Sequence, residues 1–154
     1  MDLFRELQFV VSHLIAERIP YALCGGLAMS VYAFHRATLA LDFMIDPKDL
    51  DKVRSIASEL GFDIDAGLMN FADGKVRIHR MTKIDEATGD ALPLDFLLVT
   101  DELKDVWESS AEVEWDRGRL SVVSPEGLIK LKSLRMSGQD RDDIARLRSL
   151  LDEN

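Results

Sequence analysis

Residues 21–45, YALCGGLAMSVYAFHRATLALDFMI, decide how the rest of the chain is read. Tyr21-Ala22-Leu23-Cys24 is short and apolar and runs straight into Gly25-Gly26, the pattern of a buried strand entering a turn. Residues 27–34 fit a helix of about two to three turns, and residues 39–45 read as a second strand. Inside that second strand sits Asp42, and a carboxylate on a buried strand is costly unless it is paired or binds a metal. Strand alternation turns Leu41, Phe43 and Ile45 one way and Ala40, Asp42 and Met44 the other.

Outward from this block, helices and strands alternate. Upstream, Leu3, Leu7, Val10, Val11, Leu14 and Ile15 recur at helical spacing, with Arg5, Glu6, Ser12 and Glu17 opposite, until Ile19-Pro20 stops the helix. Downstream, Asp46-Pro47 supplies an N-cap and a first-turn proline. Leu50, Val53, Ile56, Ala57 and Leu60 then form one helical face before Gly61. Residues 62–64 read as a short strand, 65–74 as a loop, 75–84 as a basic strand and 86–90 as a turn. Residues 92–99 are almost continuously apolar, as a central strand would be. A short helix near 103–107 and a hairpin of 112–115 with 120–123 around Gly118 come next. Ser124-Pro125-Glu126 opens a helix to about Met136, Gly138 breaks it, and Asp140 caps a last helix carrying Ile144, Leu147, Leu150 and Leu151. The order α-β-α-β-α-β-β-β-α-β-β-α-α predicts an α+β sheet domain with helices packed on it.

Composition bounds the function classes. At 154 residues the chain suits one domain, residues 1–154, burying roughly 68–70% of its unfolded surface. Its sheet core is expected over about 20–100, with the hairpin and C-terminal helices over about 101–154. Nineteen Lys and Arg against 28 Asp and Glu give a net charge of -9, which argues against coating nucleic acid or an anionic membrane while leaving room for a local basic cleft. One cysteine, Cys24, excludes an internal disulfide framework and a Cys-rich zinc site. The opening MDLFRELQFVVSHL carries Asp2, Arg5 and Glu6, and so matches neither a signal peptide nor a membrane span. The expectation is a cytoplasmic protein with no membrane partner.

A second acid stands out in Leu94-Asp95-Phe96-Leu97-Leu98-Val99, where Asp95 points away from Leu94, Phe96 and Leu98. Two acids on neighbouring strands, aimed at one face, make a hard-cation site; near strand ends, each equally suits a bond to a backbone amide or an arginine. Gly25-Gly26 lies where small residues let backbone N–H groups approach a phosphate, although many strand-to-helix turns use such a pair. Lys75, Arg77, His79, Arg80 and Lys83 fall within nine residues of an acidic chain. They read either as a solvated edge strand guarded by charge or as a rim for a triphosphate or an RNA phosphate. Lys132 and Arg135, i and i+3 on one helix, suit a grip on a nucleotide or a surface salt bridge. Asp140 and Asp143 read as capping acids. His13 and His35 lack metal-ligand spacing, and Trp107 and Trp115 read as packing residues.

Leu23-Cys24-Gly25-Gly26-Leu27-Ala28, then Arg36-Ala37-Thr38, then Leu41-Asp42-Phe43-Met44-Ile45 resembles the core of the minimal nucleotidyltransferase superfamily. More narrowly it is similar to AbiEii-like bacterial proteins, some of which are toxins of toxin–antitoxin systems. That pattern reads hydrophobic-GG-x-A, R-x-T, D-x-D and a third Asp on a later strand, which Asp95 in Pro93-Leu94-Asp95-Phe96-Leu97 matches. Residues 124–132, with Arg135 and Asp140-Arg141-Asp142-Asp143-Ile144, match its helical ending.

The resemblance implies a nucleotidyltransferase-like mixed β-sheet flanked by helices, with a C-terminal helical pair. It also implies binding of a nucleoside triphosphate with Mg²⁺ and transfer of the nucleoside monophosphate to an acceptor such as tRNA or protein. A cognate antitoxin would be a partner. Asp42 and Asp95 would be the catalytic and metal-binding residues. Gly25, Gly26, Arg36, Thr38, Lys132 and Arg135 would bind nucleotide, and Lys75, Arg77 and Arg80 would form the substrate rim. One position departs: the first Asp of D-x-D is Ala40. Two residues apart on a strand share a face, whereas Asp46, four residues beyond Asp42, lies roughly 13 Å away and cannot substitute. Ala40 therefore implies impaired transfer, through an engineered change or a natural loss of catalysis. The alternative is a non-catalytic nucleotide- or protein-binding module.

Overall fold

The structure, a computed structural model, describes residues 1–32, 40–135 and 138–152. β1 (Tyr21–Cys24) lies inside a seven-stranded mixed sheet in which β2 (Leu41–Ile45) follows on one side and β7 (Gly118–Val122) on the other. β5 (Ala91–Leu98), β4 (Val76–Ile84) and β3 (Ile64–Phe71) continue the sheet beyond β2, and β6 (Ala111–Trp115) closes the opposite edge. β2 with β5 and β1 with β7 are parallel; the remaining neighbours are antiparallel. The expected α+β architecture is the observed one. β1 is buried along its whole length, as its uninterrupted apolar run demands.

Helices cover both faces. α1 (Leu3–Ala16) buries Leu7, Val10, Val11 and Leu14 and is capped by Asp2, whose carboxylate accepts from the Arg5 amide. α3 (Leu50–Glu59) packs beside α1, and Asp46 caps the 3-10 turn of Pro47–Asp49 that leads into it. α2 (Gly25–Val31) begins two residues before the expected start, and Tyr32, just after it, donates its hydroxyl to the Val123 carbonyl at 2.9 Å. α4 (Lys104–Glu108) precedes the β6–β7 hairpin, and α5 (Pro125–Arg135) packs against α6 (Gly138–Asp152). Among the described residues no helix is long and apolar enough to cross a membrane.

Two expectations are corrected. Residues 65–74, read as a loop, are mostly strand β3, which pairs with β4 from Ile64↔Thr82 to Phe71↔Val76. A bulge between Asp65 and Gly67 shifts the side-chain phase, so the period-2 signal never builds up. Asp140 does not cap α6: the helix starts two residues earlier, and Asp140 and Asp143 are fully buried inside it. Trp115 stacks obliquely on Phe4 with centroids 6.5 Å apart, and Trp107 packs against the core, as expected of packing residues.

Candidate active site

Parallel pairing of β2 with β5 sets Asp42 directly beside Asp95, so both carboxylates emerge from one face on adjacent strands. On the other flank, the β1–β2 ladder places Cys24 opposite Asp42, and the chain turns there into α2. The turn requires glycine at 25: φ is +69°, and a Cβ there would come within 2.6 Å of Asp42 Cγ. Gly25 thus makes room for the Asp42 carboxylate, a steric role in addition to any approach of a phosphate.

Arg80 completes the charged end. It faces Asp95 across the β4–β5 ladder, and its Nε and Nη2 donate to the two carboxylate oxygens at 2.8 and 2.9 Å. Such a fork is the strongest geometry available to this pair. The hydrogen bonds to Asp95 hold the guanidinium pKa above its ordinary value against the opposing effect of burial, and the charges of Asp95 and Asp42 add to the rise. Asp95 is buried, while the Arg80 side chain is 42% exposed at the mouth.

These groups form one end of a cleft of about 220 Å³ between the sheet and α5. The sheet contributes Met69, Phe71, Val76, Ile78 and Leu97, and α5 contributes Leu128, Leu131, Leu134 and Lys132. Lys132 is buried, with Nζ 3.0 Å from Asp143 and 3.8 Å from Asp140, and ties α5 to α6.

The basic strand splits by parity. Arg80 turns into the cleft, whereas Arg77, His79 and Lys83 turn to the opposite face. There Arg77 bonds Asn70, His79 Nε2 lies 2.7 Å from Asp65, and Lys83 pairs with Glu6 of α1. Burial alone would raise the pKa of Asp65, but the Gly67 amide, Arg54 and His79 together hold it below the usual carboxylate range. Lys75 precedes β4, at the end of a 3-10 turn. Arg36 and Thr38 lie outside the described residues, and so does the Arg135 side chain. The apolar wall was not anticipated from sequence; its β3 half was hidden by the bulge.

The donor set does not suit a divalent cation. Among the described residues no three His, Cys, Asp or Glu side chains converge. Position 40 supplies a methyl group, and both oxygens of Asp95 accept from Arg80. As the chain stands, these residues do not fit the metal pair that D-x-D and a third Asp would hold.

No protein-family profile matches the chain, and no curated protein matches it. Solved structures do. The lincosamide antibiotic adenylyltransferase LnuA, lincomycin-bound, superposes with a TM-score of 0.64 at 15% identity, over 94% of this chain and 96% of that one. The chain has the nucleotidyltransferase fold. ANT(2")-Ia in complex with adenylyl-2"-tobramycin shares this fold with a TM-score of 0.63 at 13% identity, over 94% of this chain and 87% of that one. An antigenic nucleotidyltransferase-like protein from Paracoccidioides brasiliensis gives 0.58 at 17% identity, over 94% and 75%. In this chain, the fold's sheet carries Asp42 and Asp95 side by side at the mouth of the cleft.

Proposed function

We propose that the cleft binds a nucleoside triphosphate and that the protein is built to transfer the nucleoside monophosphate to an acceptor hydroxyl, a reaction impaired here by Ala40. The observation that carries this reading is the in-register pair Asp42–Asp95, facing one cleft beside the Gly25 turn. The resemblance to AbiEii-like proteins and the adenylyl groups named in two structural neighbours support it. In the competent reaction, the acceptor oxygen bonds to the α-phosphorus. The bond from that phosphorus to the oxygen bridging to the β-phosphate breaks, and pyrophosphate leaves with the electron pair. The hydroxyl proton passes to the Asp95 carboxylate, which requires the Arg80 fork to open. Gly25 and Gly26 approach the terminal phosphates through their amides, and Arg36, Thr38 and Arg135 assist binding, while Lys132, sealed against Asp140 and Asp143, holds α5 in place. Mg²⁺ would neutralise phosphate charge; in the Ala40→Asp variant Asp42 and Asp95 would hold it jointly with the carboxylate restored at position 40. The setting is the cytoplasm, and a cognate antitoxin belongs to the same reading.

The Arg80–Asp95 fork favours a second reading, a non-catalytic nucleotide-binding module in which the guanidinium permanently neutralises Asp95. Thermal denaturation of the chain and of Ala40→Asp, against each nucleoside triphosphate with and without Mg²⁺, separates the two. Saturation at about 100 times Kd adds about 2.7 kcal/mol, a shift of several degrees at this size. A Mg²⁺-dependent shift confined to or stronger in Ala40→Asp supports the transferase. A metal-independent shift of equal size in both supports the binding module, and no shift in either removes both.

A further inference from the structure

Among the described residues, Asp42, Asp95 and Arg80 charge one end of the cleft. From Asp95 and Arg80 it continues along Leu97 of β5 and Val76 and Ile78 of β4 to Met69 and Phe71 of the edge strand, roofed by Leu131 of α5. We infer that this wall receives the body of the acceptor, and that the acceptor is a small molecule with an uncharged apolar ring system presenting one hydroxyl to the Asp42–Asp95 pair. The inference rests on the transferase reading and names its acceptor class.

Sheet order supplies the direction. Gly25 flanks the carboxylates on the β1 side, while the apolar wall extends on the β4–β3 side. Phosphoryl transfer places the entering and leaving oxygens roughly in line on opposite sides of phosphorus. With triphosphate on the Gly25 side, the entering oxygen comes from the side of the apolar wall. The chemistry of that wall then selects the acceptor. Both cations among the described lining residues are committed within the protein, Arg80 to Asp95 and Lys132 to Asp143. An RNA end needs cations for its phosphates, and a polyhydroxylated sugar would leave its hydroxyls unpaired against Ile78, Leu97 and Leu131. The cleft volume of about 220 Å³ gives room for a compact ring system. Apolar walls with a few convergent polar groups are what small-molecule sites provide.

The test uses the intact protein and 2-(naphthalen-2-yl)ethanol as probe, with glucose and an RNA pentanucleotide bearing a free 3′-hydroxyl as comparisons. The naphthyl probe is expected to shift the methyl resonances of Ile78, Leu97 and Leu131 in the unsubstituted chain, and glucose and RNA to leave them in place. Ile78→Gln and Leu131→Gln, both at half-buried positions, should each weaken the probe at least fivefold. Adding ATP with Mg²⁺ to Ala40→Asp should leave the probe bound. Undisturbed methyls, tighter RNA than probe, or displacement of the probe by ATP (the wall then holding the nucleobase) would each overturn the inference. A bound probe with no nucleotide effect in Ala40→Asp would instead remove the transferase reading and, with it, the acceptor role of the wall.

Discussion

Two groups along the same cleft each set two carboxylates beside one cation, and they have opposite characters. Asp140 and Asp143 close on Lys132 with no exposure of either acid and 5% of the lysine side chain. Asp42 and Asp95 flank Arg80, whose side chain is 42% exposed. The first cluster joins α5 to α6, two elements that must stay together for the cleft to have a roof. The second sits on neighbouring strands that the ladders already hold together, so no element depends on its charges for its place. Burial separates a structural ion cluster from a site more clearly than residue type does.

Breaking the sealed cluster should have the largest effect. Lys132→Met removes the cation that both buried carboxylates meet, and removing one partner of a buried pair costs about 3–5 kcal/mol; denaturant unfolding should show the loss. Gly25→Ala comes next. A non-glycine residue in the left-handed region costs about 1–3 kcal/mol, and here the added methyl also meets Asp42. Lower stability with a displaced Asp42 is expected, and an unchanged melting temperature would contradict the packing described. Arg80→Gln should cost about 1–3 kcal/mol, because the guanidinium is 42% exposed but the buried Asp95 loses both of its charged donors. In the Ala40→Asp background it should nevertheless raise Mn²⁺ affinity at least tenfold, read by electron paramagnetic resonance, since it releases Asp95.

The smallest effect belongs to the opposite face of β4. Asp65 has a folded-state pKa below its unfolded value of about 3.9. Its stabilisation is therefore complete above that unfolded value and fades as pH falls through the lower folded one. The melting temperatures of the chain and of Asp65→Asn should differ at pH 6 and converge as acidification protonates Asp65 in the folded state, with no change in nucleotide response.

The same contrast explains what could be read without coordinates. β1, β2 and β5 announce themselves because buried strands are continuous apolar runs, and Asp42 and Asp95 stand out as charges interrupting them. Their shared face follows from alternation within each strand. That they meet in register follows only from the β2–β5 pairing, which no local pattern encodes. β3 escaped because its bulge breaks the alternation, and half of the apolar wall escaped with it. Arg80 could be separated from Arg77, His79 and Lys83 by parity, but its fork on Asp95 depends on the β4–β5 register. Asp140 and Asp143 looked like capping residues because the short-range signal for a cap is the same whether or not a lysine on another helix reaches back to them. The Gly25 turn was legible as a turn, whereas its close approach to Asp42 required the strand between them to be placed.

On the proposed reading, Asp42 and Asp95 together form the nucleotide site. Titration calorimetry of ATP with Mg²⁺ into Ala40→Asp, and into the same variant carrying Asp42→Asn or Asp95→Asn, tests it directly. Binding by the first protein and at least tenfold weaker binding by both of the others is the predicted result; equal affinity in all three would contradict it.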